Sequence, residues 1–92
     1  MDEAKTVWTD YVKYRAGVRG FDLAIIEQIV RYSTERYIDT ATRRFVAIGR
    51  HDQRLVMIPY ERKGNTVTPV TIHATSRRQI NSRVKSGRFE NE

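Results

Sequence analysis

The side chains able to carry chemistry are few, and most are cationic. The chain has 92 residues with two histidines, no cysteine, and 17 Lys and Arg against 11 Asp and Glu. Without cysteine there is no thiol nucleophile, no disulfide framework and no zinc knuckle. His51 and His73 lie 22 residues apart, and no HExxH or EF-hand spacing occurs, so neither a metal site nor a cofactor is expected. Ser33, Ser76, Ser82 and Ser86 fall in no G-x-S-x-G elbow, which removes a serine triad. What remains is histidine with arginine and tyrosine. Arg77, Arg78, Arg83, Lys85 and Arg88 follow one another with no acid between 77 and 89. Guanidinium groups make permanently charged, bidentate contacts to phosphate. Cleaving RNA without a metal needs a base for the 2′-hydroxyl, an acid for the departing 5′-oxygen and fixed positive charge at the phosphate. A histidine among arginines could supply all three.

The elements that must position these groups follow from periodicity. A first helix is expected over about 4–16, with Trp8, Tyr11, Val12 and Arg15 as its inward stripe and Asp2 and Glu3 at its positive end. Gly17 and Gly20 bracket its exit. Asp22 caps a second helix whose inward stripe is Ile26, Ile29, Val30 and Ser33, broadened by Ile25, with Phe21 packed on Ile26 and an end near Tyr32–Thr34. Short strands follow over about 36–39, 43–49, 54–61 and 66–73, joined by a polar turn at 50–53 and a hairpin at Lys63-Gly64-Asn65. If Lys63-Gly64 forms the loop, Pro59 faces Thr68 and Pro69 faces Ile58, so a bulge or strong twist is expected there. Ser76-Arg77-Arg78-Gln79 reads as a capping box opening a last helix to about residue 86. Gly87 ends that helix, and Phe89 folds back onto the core. The order is ααββββα: an α+β sandwich with one antiparallel sheet.

These elements place the candidates. His73 ends the last strand; if Val70 and Ile72 face the helices, it points to the open face of the sheet. The alternative is a half-buried histidine satisfied by a backbone group. Tyr60 ends the neighbouring strand and is expected near His73. His51 falls in a turn, where exposure without a role is expected, and is the second choice for a catalytic histidine.

Charge narrows the class of partner. Residues 1–40 carry six basic and seven acidic groups, whereas 41–89 carry eleven basic groups against Asp52 and Glu61, and 90–92 add two acids. A basic back half points to a polyanion. The longest apolar run, Leu23–Ile26, is too short for a membrane span or a signal-peptide core, and a cytoplasmic location is expected. One domain over 1–92 is expected, with a core from about 4 to 89 and an acidic tail at 90–92.

The order of short blocks carries a resemblance. Gly17-Val18-Arg19-Gly20-Phe21-Asp22 leads into the Ile-rich helix; Tyr37-Ile38-Asp39, Arg43–Gly49, Leu55–Tyr60, Val70–Ala74 and Thr75-Ser76-Arg77-Arg78-Gln79-Ile80 follow. Over about residues 8–87 this resembles the BrnT-type toxins of bacterial type II toxin–antitoxin systems and the small domains of unknown function grouped with them. The chain differs in lacking their hairpin before the first helix, and in having His73-Ala74 where they carry Ser and Arg. The resemblance implies a RelE/ParE-like fold, a twisted antiparallel sheet with helices on one side. It implies a metal-independent endoribonuclease that inhibits translation and is held inactive by an antitoxin. In that superfamily Arg, Lys, His or Tyr stand on the open sheet face and edge; by strand position these are Arg44, Arg50, Tyr60, His73 and Arg77.

The expectation is therefore a catalytic set of His73, Tyr60 and Arg77, with His73 as general acid or base and Tyr60 orienting it. Arg44, Arg50, Arg78, Arg83, Lys85 and Arg88 bind RNA phosphates. The expected partners are RNA and an acidic antitoxin, in a homo-oligomer or a toxin–antitoxin hetero-oligomer. The alternatives are a non-catalytic module of the same fold that binds nucleic acid or protein, and a structural protein whose arginines meet an acidic surface.

Overall fold

A computed structural model describes residues 4–92, so Asp2 and Glu3 lie outside the described residues. The chain opens on a strand where a helix was expected. β1 (Lys5–Thr6) runs parallel to β5 (Thr66–Pro69), held by the N–H groups of Lys5 and Val7 donating to the carbonyls of Asn65 and Val67. Those N–H groups are thus committed to a sheet and unavailable to a helix. The first helix, α1 (Asp10–Arg19), starts where the Thr9 hydroxyl accepts from the Val12 N–H at 3.1 Å, and it ends at Gly20 with φ 72°. Its buried positions are Val12 and Ala16. The expected stripe is therefore rotated, and Tyr11 and Tyr14 face outward.

α2 (Leu23–Tyr32) is as expected. The Asp22 carboxylate accepts from the Ala24 N–H at 2.9 Å, and Ile26, Ile29 and Val30 are buried. Its far end is closed by a side chain from just beyond the helix. Arg36 donates to the carbonyls of Ser33 at 2.8 Å and Val30 at 2.5 Å, satisfying groups a helix end leaves open.

β2 (Glu35–Asp39), β3 (Arg44–His51) and β4 (Arg54–Lys63) form an antiparallel meander, with β5 beside β4. Two-residue turns join β3 to β4 and β4 to β5, with positive φ at Asp52 (56°) and Gly64 (58°). The second turn is Gly64-Asn65, one residue later than the expected loop, so Pro69 faces Tyr60 and not Ile58.

The expected bulge is present and has a consequence for His73. Between the Tyr60–Pro69 and Met57–His73 pairs, β4 contributes Ile58 and Pro59 while the facing chain contributes Val70, Thr71 and Ile72. The one extra residue divides the expected strand into β5 and β6 (His73–Thr75). Continued in the β5 register, His73 would face Val56 and point under α1 and α2. The bulge moves it opposite Met57, on the other face, while Ile72 points into the core.

The two faces belong to two cores. Ala47, Val56, Ile58, Tyr60, Val67 and Ile72 pack against Val12, Ala16, Ile26, Ile29 and Val30 of α1 and α2. Val46, Ile48, Leu55 and Met57 pack against Ile80 of α3 (Arg77–Lys85) and Phe89. Alternating residues of β3 and β4 thus enter opposite cores. Helices cover both faces, contrary to the one-sided arrangement expected. The tail is not free: β7 (Phe89–Asn91) pairs with β2, giving an order of β1-β5-β4-β3-β2-β7 with β6 also on β4. The described residues form an α+β domain with three helices and a mixed sheet of seven strands, where four were expected.

Candidate anion site around His73

His73 sits on β6, whose only ladder partner among the described residues is β4, so its other side is an edge of the sheet. Arg15 of α1 reaches over that edge. Its Nε donates to the Ile72 carbonyl at 3.0 Å, one terminal nitrogen lies 3.3 Å from His73 Nδ1, and the other lies 3.5 Å from the Tyr11 hydroxyl. Arginine has only donors, so Nδ1 must act as acceptor and the ring proton is assigned to Nε2. Arg83 approaches from α3 on the sheet's second face. Its guanidinium lies 3.0 Å from the sulfur of Met57, the residue paired with His73, and 5.5 Å from the centre of the Phe89 ring. Burial lowers the His73 pKa, and the positive charges of Arg15, Arg83 and Arg19 lower it further. Both effects favour the neutral form of the ring. Among the described residues no carboxylate pairs with Arg15, Arg83 or Arg19. The arrangement is a neutral imidazole beside uncompensated guanidinium groups: a base next to an anion-binding charge.

The other expected catalytic groups are placed elsewhere. Tyr60 is fully buried in the α1–α2 core, on the face opposite His73. Its hydroxyl accepts from Arg36 at 2.8 Å, its ring stacks on Phe45, and burial raises its pKa. Tyr60 therefore cannot orient His73. Arg77 is exposed, but both its terminal nitrogens hold Glu35, at 2.6 and 2.9 Å. That contact is the main reason the Glu35 pKa is lowered. The Tyr37 hydroxyl donates to the same carboxylate at 2.7 Å. Arg77 braces α3 against β2 and carries little free charge. His51, expected to be exposed, is 3% exposed. Its Nε2 accepts from the Asp22 N–H at 2.7 Å, and its ring meets Phe21 edge-on with centroids 5.3 Å apart. In a capping box a Glu or Gln three residues into the helix would serve that N–H. Ile25 occupies that place, and His51, at the end of β3 and not in the expected turn, supplies the acceptor.

The six expected phosphate contacts divide similarly. Arg88 holds Asp39 through two bonds, at 2.8 and 3.2 Å; burial pushes that carboxyl up, but Arg88 and the Ala41 and Thr42 amides outweigh it. Arg44 lies 3.6 Å from Glu61. Arg50, Arg78 and Lys85 are exposed and have no carboxylate partner among the described residues. Arg78 and Lys85 line a shallow depression on α3 with Asn81 and Ser82; Arg50 lines another with Tyr32 and Gln28. Neither includes His73. Of the six, only Arg83 adjoins it.

Sequence reading gave Arg15 no functional part. The available signal was a charged residue assigned to an inward helix stripe, which demands a polar partner across the fold. Among the described residues no three His, Asp or Glu side chains converge as metal ligands, and no helix is long and apolar enough to cross a membrane. Comparison with known proteins assigns no family: no family model, no curated protein and no solved structure matches the chain.

Proposed function

We propose that this domain binds RNA at the His73 edge and cleaves it without a metal, as the toxin of a type II toxin–antitoxin pair with a RelE/ParE-like fold. The observation that carries the reading is the contact of Arg15 with His73 at a sheet edge that Arg83 approaches from α3. When RNA binds, Arg15 turns from His73 Nδ1 to the phosphate; the freed Nδ1 lone pair removes the 2′-hydroxyl proton, and the oxygen attacks phosphorus. Arg15 and Arg83 neutralise the added charge on the pentacoordinate phosphate. Tyr11 protonates the departing 5′-oxygen, leaving a 2′,3′-cyclic phosphate and a 5′-hydroxyl. In-line displacement needs base and acid on opposite sides of phosphorus, and His73 and Tyr11 flank the two ends of one guanidinium. The toxin assignment draws on the sequence resemblance, and the uncompensated cations suit an acidic antitoxin.

The test is cleavage of single-stranded RNA in EDTA by purified, antitoxin-free protein. Wild type should cut. His73→Ala and Arg15→Ala should each lose roughly 100-fold or more, the usual scale for a general base or a charge-stabilising group. Arg77→Ala should change the rate far less, because Glu35 already occupies that arginine. Folded wild type that leaves RNA intact overturns the nuclease reading.

A second reading, binding without cleavage, is favoured by one observation: Tyr60 and Arg77 are committed to structural contacts. It predicts salt-dependent binding with intact RNA recovered.

A further inference from the structure

We propose that the outward face of α1 is a nucleobase platform that stacks a single-stranded RNA segment beside His73; this deepens the reading above and rests on RNA being the ligand. Tyr14, Val18 and Tyr11 are 71, 64 and 55% exposed, among the most exposed large apolar side chains in the fold. At about 100° per residue they form one stripe, in the order Tyr14, Val18, Tyr11, continuing into Arg15 and Arg19. The stripe runs about 10 Å along the helix axis. Its rings are not borrowed from the core, because Val12 and Ala16 supply the buried side of α1. Gly17, beside Tyr14, leaves open space where a side chain would stand.

The neighbouring charge selects the occupant. Arg15 joins the stripe directly, 3.5 Å from the Tyr11 hydroxyl, and reaches His73 at its other end. The acid on α1, Asp10, lies 3.7 Å from Lys13, and among the described residues no carboxylate pairs with Arg15 or Arg19. Exposed rings with unpaired arginines at their border suit a single strand, whose bases offer π-faces and whose phosphates need cations. A duplex keeps its bases stacked on one another and has none to offer. Every base has a π-face, so the platform confers preference for single strands without choosing a sequence.

The experiment measures binding of a fluorescent single-stranded RNA decamer and its duplex by polarisation across a salt series. It uses full-length His73→Ala, which removes cleavage. The single strand should bind more tightly than the duplex. Adding Tyr14→Ala should weaken single-strand binding roughly 5- to 100-fold, the range for one lost stacking contact. The slope of log affinity against log salt should stay unchanged, whereas Arg15→Ala should reduce it by about one. Tyr14→Trp should restore the affinity. Tight single-strand binding unaffected by Tyr14→Ala overturns the platform and leaves the RNA reading standing. No RNA binding at low salt overturns both. If Tyr14→Ala leaves RNA binding alone but turns a dimer into a monomer by sedimentation, the stripe is a self-interface and the platform is overturned.

Discussion

Replacing His51 separates a structural histidine from a catalytic one. Two effects set the cost of His51→Ala. The Asp22 N–H loses its acceptor at 2.7 Å, and the ring's edge contact with Phe21 disappears from a site only 3% exposed. An unsatisfied buried N–H costs about 1–3 kcal/mol. Asp22 is itself exposed, so water replaces part of that bond and the low end applies. Adding roughly 1–2 kcal/mol for the emptied ring volume gives about 2–3 kcal/mol in all. That is a large share of a stability of about 5–15 kcal/mol, and it lowers Tm by roughly 10 °C or more in a domain this small. Two further variants apportion the loss. His51→Gln keeps an acceptor able to reach the Asp22 N–H and should recover about 1 kcal/mol. His51→Phe keeps the ring contact but strands the N–H, so it should unfold more readily than the glutamine variant. Urea unfolding monitored by circular dichroism measures all three. RNA affinity of His51→Gln should match wild type. A His51→Ala midpoint equal to wild type, or phenylalanine milder than glutamine, would refute the capping argument.

Two other outcomes follow from the structure. His73 has a folded pKa below its ordinary value, so the unfolded chain binds more protons between the two values. Its linked stability is complete above the ordinary histidine range, is lost as pH falls towards the lowered folded pKa, and then levels off. Urea titrations from pH 8 to pH 4 should show a shallower fall for His73→Gln than for wild type; equal profiles would contradict the assigned environment. Gly49 faces α2 so closely that an added Cβ would lie 2.7 and 2.8 Å from the branched stem of Ile29. Gly49→Ala should therefore cost about 1–3 kcal/mol, and should add less than its full cost in an Ile29→Ala background. A purely additive double mutant would rule out that contact as the cause.

What the sequence disclosed depended on how local the cause was. α2 was legible because its cap, its staple and its apolar stripe all lie within a dozen residues. The hairpins were legible because turn residues mark them. β1 was not, because two residues carry no period and the strand exists only through β5. Recruiting those residues to the sheet moved the start of α1 and rotated its buried face, which is why Tyr11 was expected inside. β7 was hidden for the same reason. Phe89 was expected to fold back, but its pairing with β2 depends on a partner some fifty residues earlier. The prolines gave a correct warning of a bulge. Its consequence, a side chain moved to the other face, could not be read before the register was known.

The charge pattern shows most clearly how sequence and space diverge. Along the chain, a near-neutral front precedes a basic back half. In the fold the two halves are joined by ion pairs: Glu35 with Arg77 and Asp39 with Arg88. The front half's acids thus compensate the cations that had seemed most available for phosphate. The arginine nearest the histidine comes from that same front half. Arg15 lies 58 residues from His73 in sequence, so no local motif could have joined them. A cation's use to an anionic ligand depends on whether an acid already holds it. By that criterion Arg77 and Arg88 support the fold, while among the described residues Arg15, Arg19, Arg50, Arg78, Arg83 and Lys85 are held by no carboxylate. Joining that test to nearness to His73 points the proposed RNA contact to the edge where α1, β6 and α3 meet.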